Sequence, residues 1–202
     1  QGSWRMRIKA GAFFPVTSLE VGYDSVGWGP ERTLSSSAIN SWISEEIRIV
    51  GFELALLRRG VFVGSPHSFG ATVAAFGGND PAGTLLAWRG WSVGRHVTGL
   101  AEHLMLADLP VYRPGGALAA QEREIHVFRE IDHRAGYYGT LTYGYSGWLE
   151  AALMHYDNRG DPLAFESGQY SWHTRFDHLS LQLSLRGQWE FLAQGMRGET
   201  LM

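Results

Sequence analysis

The chain has 202 residues, 45% of them hydrophobic, enough apolar material for a folded domain and too much for a disordered one. A formal net charge of −3 without any basic cluster argues against a nucleic-acid binder, and the absence of cysteine removes disulfides and thiolate metal sites. No window approaches the roughly 18 uninterrupted apolar residues of a membrane-spanning helix, whereas a spanning β-strand needs only about 9–11 residues, apolar at every second position.

The first predicted strand, residues 4–14, places Trp4, Met6, Ile8, Ala10 and Ala12 on one face and Arg5, Arg7, Lys9 and Gly11 on the other. Consecutive cations on one face require water, which a lumen or an open solvated face provides. Residues 15–44 read as a loop, rich in glycine, proline and serine, with Ser37 as an N-cap for one or two helical turns over residues 37–46. A second strand over residues 46–58 carries Phe52, Leu54 and Leu56 on its apolar face, with Glu53 opposite.

A short connection, residues 59–66, leads to a third strand over residues 67–77, in which Phe69, Ala71, Val73 and Ala75 share a face. The run Gly77-Gly-Asn-Asp-Pro-Ala-Gly83 is a strong turn signal. Residues 84–94 fit a strand or a short helix, and residues 78–135 together read as one long excursion.

Strands four and five are predicted over residues 136–143 and 148–157, joined by the tight Gly144-Tyr-Ser-Gly147. After a loop over residues 158–170, strand six covers residues 171–186. It contains Leu-Ser-Leu-Gln-Leu-Ser-Leu, with Leu179, Leu181, Leu183 and Leu185 on one face and Ser180, Gln182 and Ser184 on the other. Strand seven, residues 188–197, follows almost directly. The opening Gln1 and the closing Arg197-Gly-Glu-Thr-Leu-Met202 suit a mature or truncated chain.

The connections alternate in length: residues 15–44, 78–135 and 158–170 are long, and residues 59–66, 144–147 and 186–187 are short. An up-and-down antiparallel sheet collects the long ones at one end, the asymmetry of outer-membrane barrels. The 8 Trp and 8 Tyr suit a bilayer interface, though carbohydrate-binding β-proteins are also rich in aromatics.

Several segments carry a family resemblance: Gly11-Ala-Phe-Phe-Pro15, Ser37-Ala-Ile-Asn-Ser-Trp-Ile-Ser-Glu-Glu46, Ala75-Phe-Gly-Gly-Asn-Asp-Pro-Ala-Gly83, Phe128-Arg-Glu-Ile-Asp132, Gly136-Tyr-Tyr138, His155-Tyr-Asp-Asn-Arg159 and Trp172-His-Thr-Arg-Phe-Asp177. In these the chain resembles Gram-negative outer-membrane porins, in the style of the phosphate-selective group. The resemblance implies a closed barrel of about 16 strands, of which this chain would supply a part.

The expected fold is therefore all-β: an antiparallel up-and-down transmembrane β-barrel, or part of one, forming a single domain over residues 1–202 in the outer membrane of a Gram-negative bacterium. The expected pore-lining residues are Arg5, Arg7, Lys9, Glu53, Glu150, Ser180, Gln182, Ser184, Arg186 and Glu190. The expected lipid-facing residues are Leu179, Leu181, Leu183, Leu185 and Trp189. Arg5, Arg7 and Lys9, joined by Arg48 and Arg186, would form a strip that attracts anions, and Glu53, Glu150 and Glu190 would offset it. The expected activity is passive diffusion of small solutes: anionic ones if the strip keeps its field, and without charge selection if the lumen is an ordinary mixed-charge lining. The expected partners are outer-membrane lipids and the solutes themselves, and a homo-oligomer is compatible with this reading.

No nucleophile elbow, phosphate loop or zincin helix is present, so no enzyme activity and no cofactor are expected. His155, Asp157, His173, Asp177 and His178 lack a compact ligand spacing and read as rim polar groups, and Asp157-Asn-Arg-Gly-Asp161 reads as a plain turn. Trp148, Trp172 and Trp189 could stack sugars but fit an interfacial girdle better. The rival readings are a soluble carbohydrate-binding β-sandwich and a non-conducting structural barrel.

Overall fold

The computed structural model describes residues 4–16, 18–21, 32–34, 37–40, 49–89, 98–185 and 188–202. Where the sequence alternates, the chain is extended. The strands β1 (Trp4–Phe13), β2 (Ile49–Arg58), β3 (His67–Gly77), β4 (Gly136–Tyr145), β5 (Leu149–Asp157), β6 (His173–Leu185) and β7 (Trp189–Leu201) form a 7-stranded sheet in sequential order. Every neighbouring pair is antiparallel. The all-β, up-and-down expectation holds. Closure does not: among the described residues β1 and β7 are the two free edges of an open sheet.

The meander starts and ends its long connections, those after β1, β3 and β5, at one end of the sheet and its short ones at the other. The β4–β5 turn is tight because Ser146 (φ 48°) and Gly147 (φ 72°) both adopt the left-handed backbone that a primed hairpin turn requires. The β2–β3 connection is a 3-10 turn, Gly60–Val63, closed at Gly64 (φ 65°).

The two faces of the sheet differ. One is bare and apolar: Met6, Ile8, Phe52, Leu56, Val73, Leu141, Leu153, Leu179 and Phe191 are all exposed there. The other is covered by the chain's own long connections. At the long-loop end of the covered face, Ile49, Ala74, Phe76, Tyr138, Met154, Tyr156 and Phe176 form a core with Ala82 of the excursion. Tyr156 stacks between Phe76 (5.1 Å) and Phe176 (4.7 Å). Burying these rings accounts for much of the sheet's stability, since each large apolar side chain contributes about 1.5–3 kcal/mol.

The excursion has structure of its own. Residues 84–94, expected as a strand or short helix, begin as the helix Gly83–Arg89. Gly83 is held so closely against Trp172 and Thr200 that a Cβ there would collide with the indole. Leu85, Leu104, Leu106, Tyr112, Ile125 and Val127 make a second small core. The pairing of Leu104–Met105 with Glu124–Ile125 closes it. The helical turns expected over residues 37–46 are described only at Ala38–Asn40. There Asn40 N–H donates to the Ser37 hydroxyl at 3.3 Å, the bond expected of an N-cap.

Candidate functional site

The register assigns side chains to the covered face. Arg5, Arg7 and Lys9 of β1 share it with Glu53 of β2, because Lys9 pairs with Glu53 and Arg7 with Ala55. Glu150, Ser180, Gln182, Ser184 and Glu190 lie on the same side, since Gln182 pairs with Glu150 and Ser184 with Glu190. All the expected pore-lining residues within the described part of the chain thus stand on one face; Arg186 and Arg48 lie outside it. Leu179, Leu181, Leu185 and Trp189 stand exposed on the opposite, bare face, with Leu183 half-buried beside them.

The basic strip is paired. Glu53 is 1% exposed and accepts from Arg7 (3.5 Å) and Lys9 (3.4 Å), and the Tyr138 hydroxyl donates to its other oxygen. Arg5 is exposed at the sheet edge, with no ion pair among the described residues. A further cation comes from the first long connection. Arg32 donates to Glu150 at 3.0 Å and to Gln182. Arg5, Arg7, Lys9 and Arg32 therefore stand on the same side as Glu20, Glu53, Glu150 and Glu190, and Arg58 and Arg59 add positive charge at the short-turn end.

The same connection is docked on the sheet. Val16, Leu19 and Val21 are buried. Glu20, 5% exposed, accepts from the hydroxyls of Ser18 (3.1 Å) and Ser37 (2.7 Å). Ser18 reaches Gln194 of β7 at 3.2 Å, and Gln194 donates to Ser37 at 3.1 Å. Sequence reasoning read this stretch as a plain loop; its buried Leu19 and Val21 were the available signal.

At the short-turn end the covered face opens into a cavity of about 980 Å³. Arg32, Arg58, Arg59, Ser68, Thr142, Glu150, Gln182 and Ser184 line it, and Trp148 stands at its edge. Trp148 thus departs from the girdle expected of it. So does Trp172, which is buried at 7% exposure beneath Gly83 because the excursion folds back over it. Trp189, 67% exposed at the start of β7, stands on the bare face.

The histidines and aspartates at the long-loop end form separate pairs: His155 with Asp177 at 2.8 Å and His173 with Asp157 at 3.0 Å. His178 is buried on the covered face, away from both. In the turn that follows β5, the buried Asn158 accepts from Gly160 N–H and Thr174 N–H, Asp157 from Arg159 N–H and Asp161 from Leu163 N–H, so these side chains shape a loop.

An acidic group missed in the sequence joins the two ends of the excursion. Carboxylate oxygens of Asp80, Glu130 and Asp132 lie within 4.8 Å of one another and could take a cation. They are already engaged by their own loops: Asp80 accepts Ile131 N–H at 2.6 Å, Glu130 accepts Gly78 N–H at 2.7 Å, and the Ser171 hydroxyl donates to Asp132 at 2.9 Å. Burial, reinforced by the neighbouring carboxylates, pushes Asp80 up to about 6. On the excursion's surface, burial and the adjacent His103 hold His126 below the usual histidine range.

Comparison with known proteins adds no relative: no family model, curated protein or solved structure matches the chain. Function rests on the geometry of the two faces.

Proposed function

We propose that this chain forms a wall of an outer-membrane porin-type channel, with the bare face against lipid and the covered face lining a passage for small polar solutes. The observation that carries this reading is the course of the bare apolar band across the sheet. The cross-strand row Ile8–Leu54–Val73–Gly139–His155–Asp177–Arg197 is apolar on β1 to β3 and polar or charged on β5 to β7. On β6 and β7 the band instead continues towards the short turns, through Leu181, Leu183, Leu185, Trp189 and Phe191. The band therefore slides along the register in one direction.

Strands that cross a slab at about 35–45° require this, because the register rows are then inclined to the slab. A soluble sheet would instead cover such a large exposed apolar surface with a second layer. The long connections gathered at one end, and the polar lining of the other face, support the same orientation. Two features narrow the passage: the helix-bearing start of the excursion over the aromatic core, and the docked segment that ends in Arg32.

The test is physical. The folded chain is expected to require detergent or lipid, to show heat-modifiable electrophoretic mobility, and to conduct ions when reconstituted in a planar bilayer. Solubility as a folded monomer without detergent would overturn the membrane reading. Insertion without conductance would leave a structural barrel.

A further inference from the structure

We propose that the excursion carries a surface metal site: His103 and His126, opposed across its short ladder, take one divalent transition cation such as Zn2+ between their imidazoles, with Glu124 orienting His103. This inference does not depend on the channel reading.

The register brings the two rings together. Leu104 pairs with Ile125 and Met105 with Glu124, so the next step of the same antiparallel ladder sets His103 opposite His126. Leu104 and Ile125 turn into the small core of the excursion. Alternation then points His103, Met105, Glu124 and His126 away from that core. The first three are exposed and His126 is half-buried. The ring centres of His103 and His126 lie 3.7 Å apart, with the planes inclined at 47°. Elsewhere His155 and His173 each meet an aspartate and His67 meets Tyr143, one imidazole at a time.

The pair is arranged as metal-binding imidazoles are. Nδ1 of His103 lies 2.6 Å from a carboxylate oxygen of Glu124. A carboxylate in that position holds the proton on Nδ1 and leaves the Nε2 lone pair free, as it does behind a metal-bound histidine. Both rings stand at the surface, so turning about their side-chain bonds brings a nitrogen of each onto one ion at the usual distance of about 2.0–2.1 Å. Two histidines directly opposed across a ladder repel whenever both are charged, and one cation shared by two neutral rings removes that conflict. The surrounding charge also favours a cation. Glu122 and Glu124 act on His126 against Arg129, and Arg129 donates to the Ser167 carbonyl at 3.3 Å.

The donors select the class of ion. Imidazole nitrogen suits Zn2+, Cu2+ and Ni2+, whereas Mg2+ and Ca2+ take oxygen. Two protein nitrogens leave the remaining coordination positions to water. The site is therefore open and exchangeable, unlike a closed structural zinc centre with four protein ligands.

The experiment titrates the whole folded chain, in detergent micelles or in plain buffer, with ZnCl2 in a calorimeter at pH 7.5. The expected result is saturable binding of one ion per chain. His103→Ala and His126→Ala should each weaken it by about tenfold or more, and Glu124→Ala, which keeps both rings, by about tenfold. His155→Ala, His173→Ala and Glu130→Gln should bind as the parent does. No saturable binding, binding that survives the loss of both rings, or binding lost instead in His155→Ala, His173→Ala or Glu130→Gln overturns the site. A second readout uses the unaltered chain and so is immune to a variant that misfolds. Zn2+ should protect His103 and His126 from acylation by diethyl pyrocarbonate, located by mass spectrometry, and equal modification of both with and without Zn2+ overturns the proposal. Conductance enters neither readout, so the metal site and the channel reading fail separately.

Discussion

At the long-loop end, β4, β5 and β6 turn Tyr138, Tyr156 and Phe176 onto the covered face, and the rings stack under Ala82 with almost no exposure. At the short-turn end the same strands present Thr142, Glu150, Gln182 and Ser184 on that face, and a cavity remains. One sheet thus supplies an aromatic plug and a polar cavity a few residues apart. If the chain forms the channel proposed above, substitutions at the two ends should separate folding from permeation.

The largest effect is expected from Tyr156→Ala. It removes the central ring of the stack and leaves Asn79, which donates to the Tyr156 hydroxyl at 2.7 Å, without that partner. A loss of about 3–5 kcal/mol should appear as a lower urea midpoint for the heat-modifiable form. A midpoint within error of the parent would show that the plug contributes nothing to the fold.

Next is Leu181→Arg on the bare face, expected to cost about 2–4 kcal/mol if the residue sits near the bilayer midplane, against little effect for Ser184→Arg on the covered face. Folding yields of the two variants into lipid vesicles measure the difference. Equal yields would remove the distinction between the faces.

Asp80, beneath the plug, gives a pH dependence. Its carboxyl titrates near 3.8 in the unfolded chain and near 6 in the fold. Between those values the folded chain holds a proton that the unfolded chain has released. The contribution of this group therefore favours folding most below about pH 4, and up to about 3 kcal/mol is lost as pH rises through 6. Asp80→Asn should flatten that slope in denaturant titrations from pH 4 to 7. A slope equal to the parent's would show that another group titrates.

The smallest effect concerns the chamber end of the basic strip. Arg5→Gln removes the cation without an ion pair among the described residues and should move the reversal potential in a salt gradient by a few millivolts towards cations. No shift, in a channel that still conducts, would show that Arg5 sets no field in the passage.

How much of this was legible in the sequence depended on range. Residues 67–77 were read as a strand to the residue, because Phe69, Ala71, Val73 and Ala75 alternate between Pro66 and the turn glycines. The separation of Leu179, Leu181 and Leu185 from Ser180, Gln182 and Ser184 follows from the same period. The docking of the first connection did not follow, because Ser18 finds its partner Gln194 at a separation of 176 residues and no local period encodes that contact. Trp172 failed for a related reason: its position at the head of a strand suggested a bilayer interface, whereas the returning excursion buries it. The acidic group at the two ends of the excursion was hidden too, since Asp80 lies 50 residues from Glu130 and the chain between them shows no repeat.

The sheet's odd number of strands has a consequence for assembly. In a 7-stranded meander the first and last strands point the same way. β1 and β7 can meet each other, or their counterparts on a neighbour in the same orientation, only as a parallel pair. Inside a bilayer their edge N–H and C=O groups must nevertheless be satisfied. A neighbour that completes the wall with antiparallel pairing at both edges must therefore bring an odd number of strands.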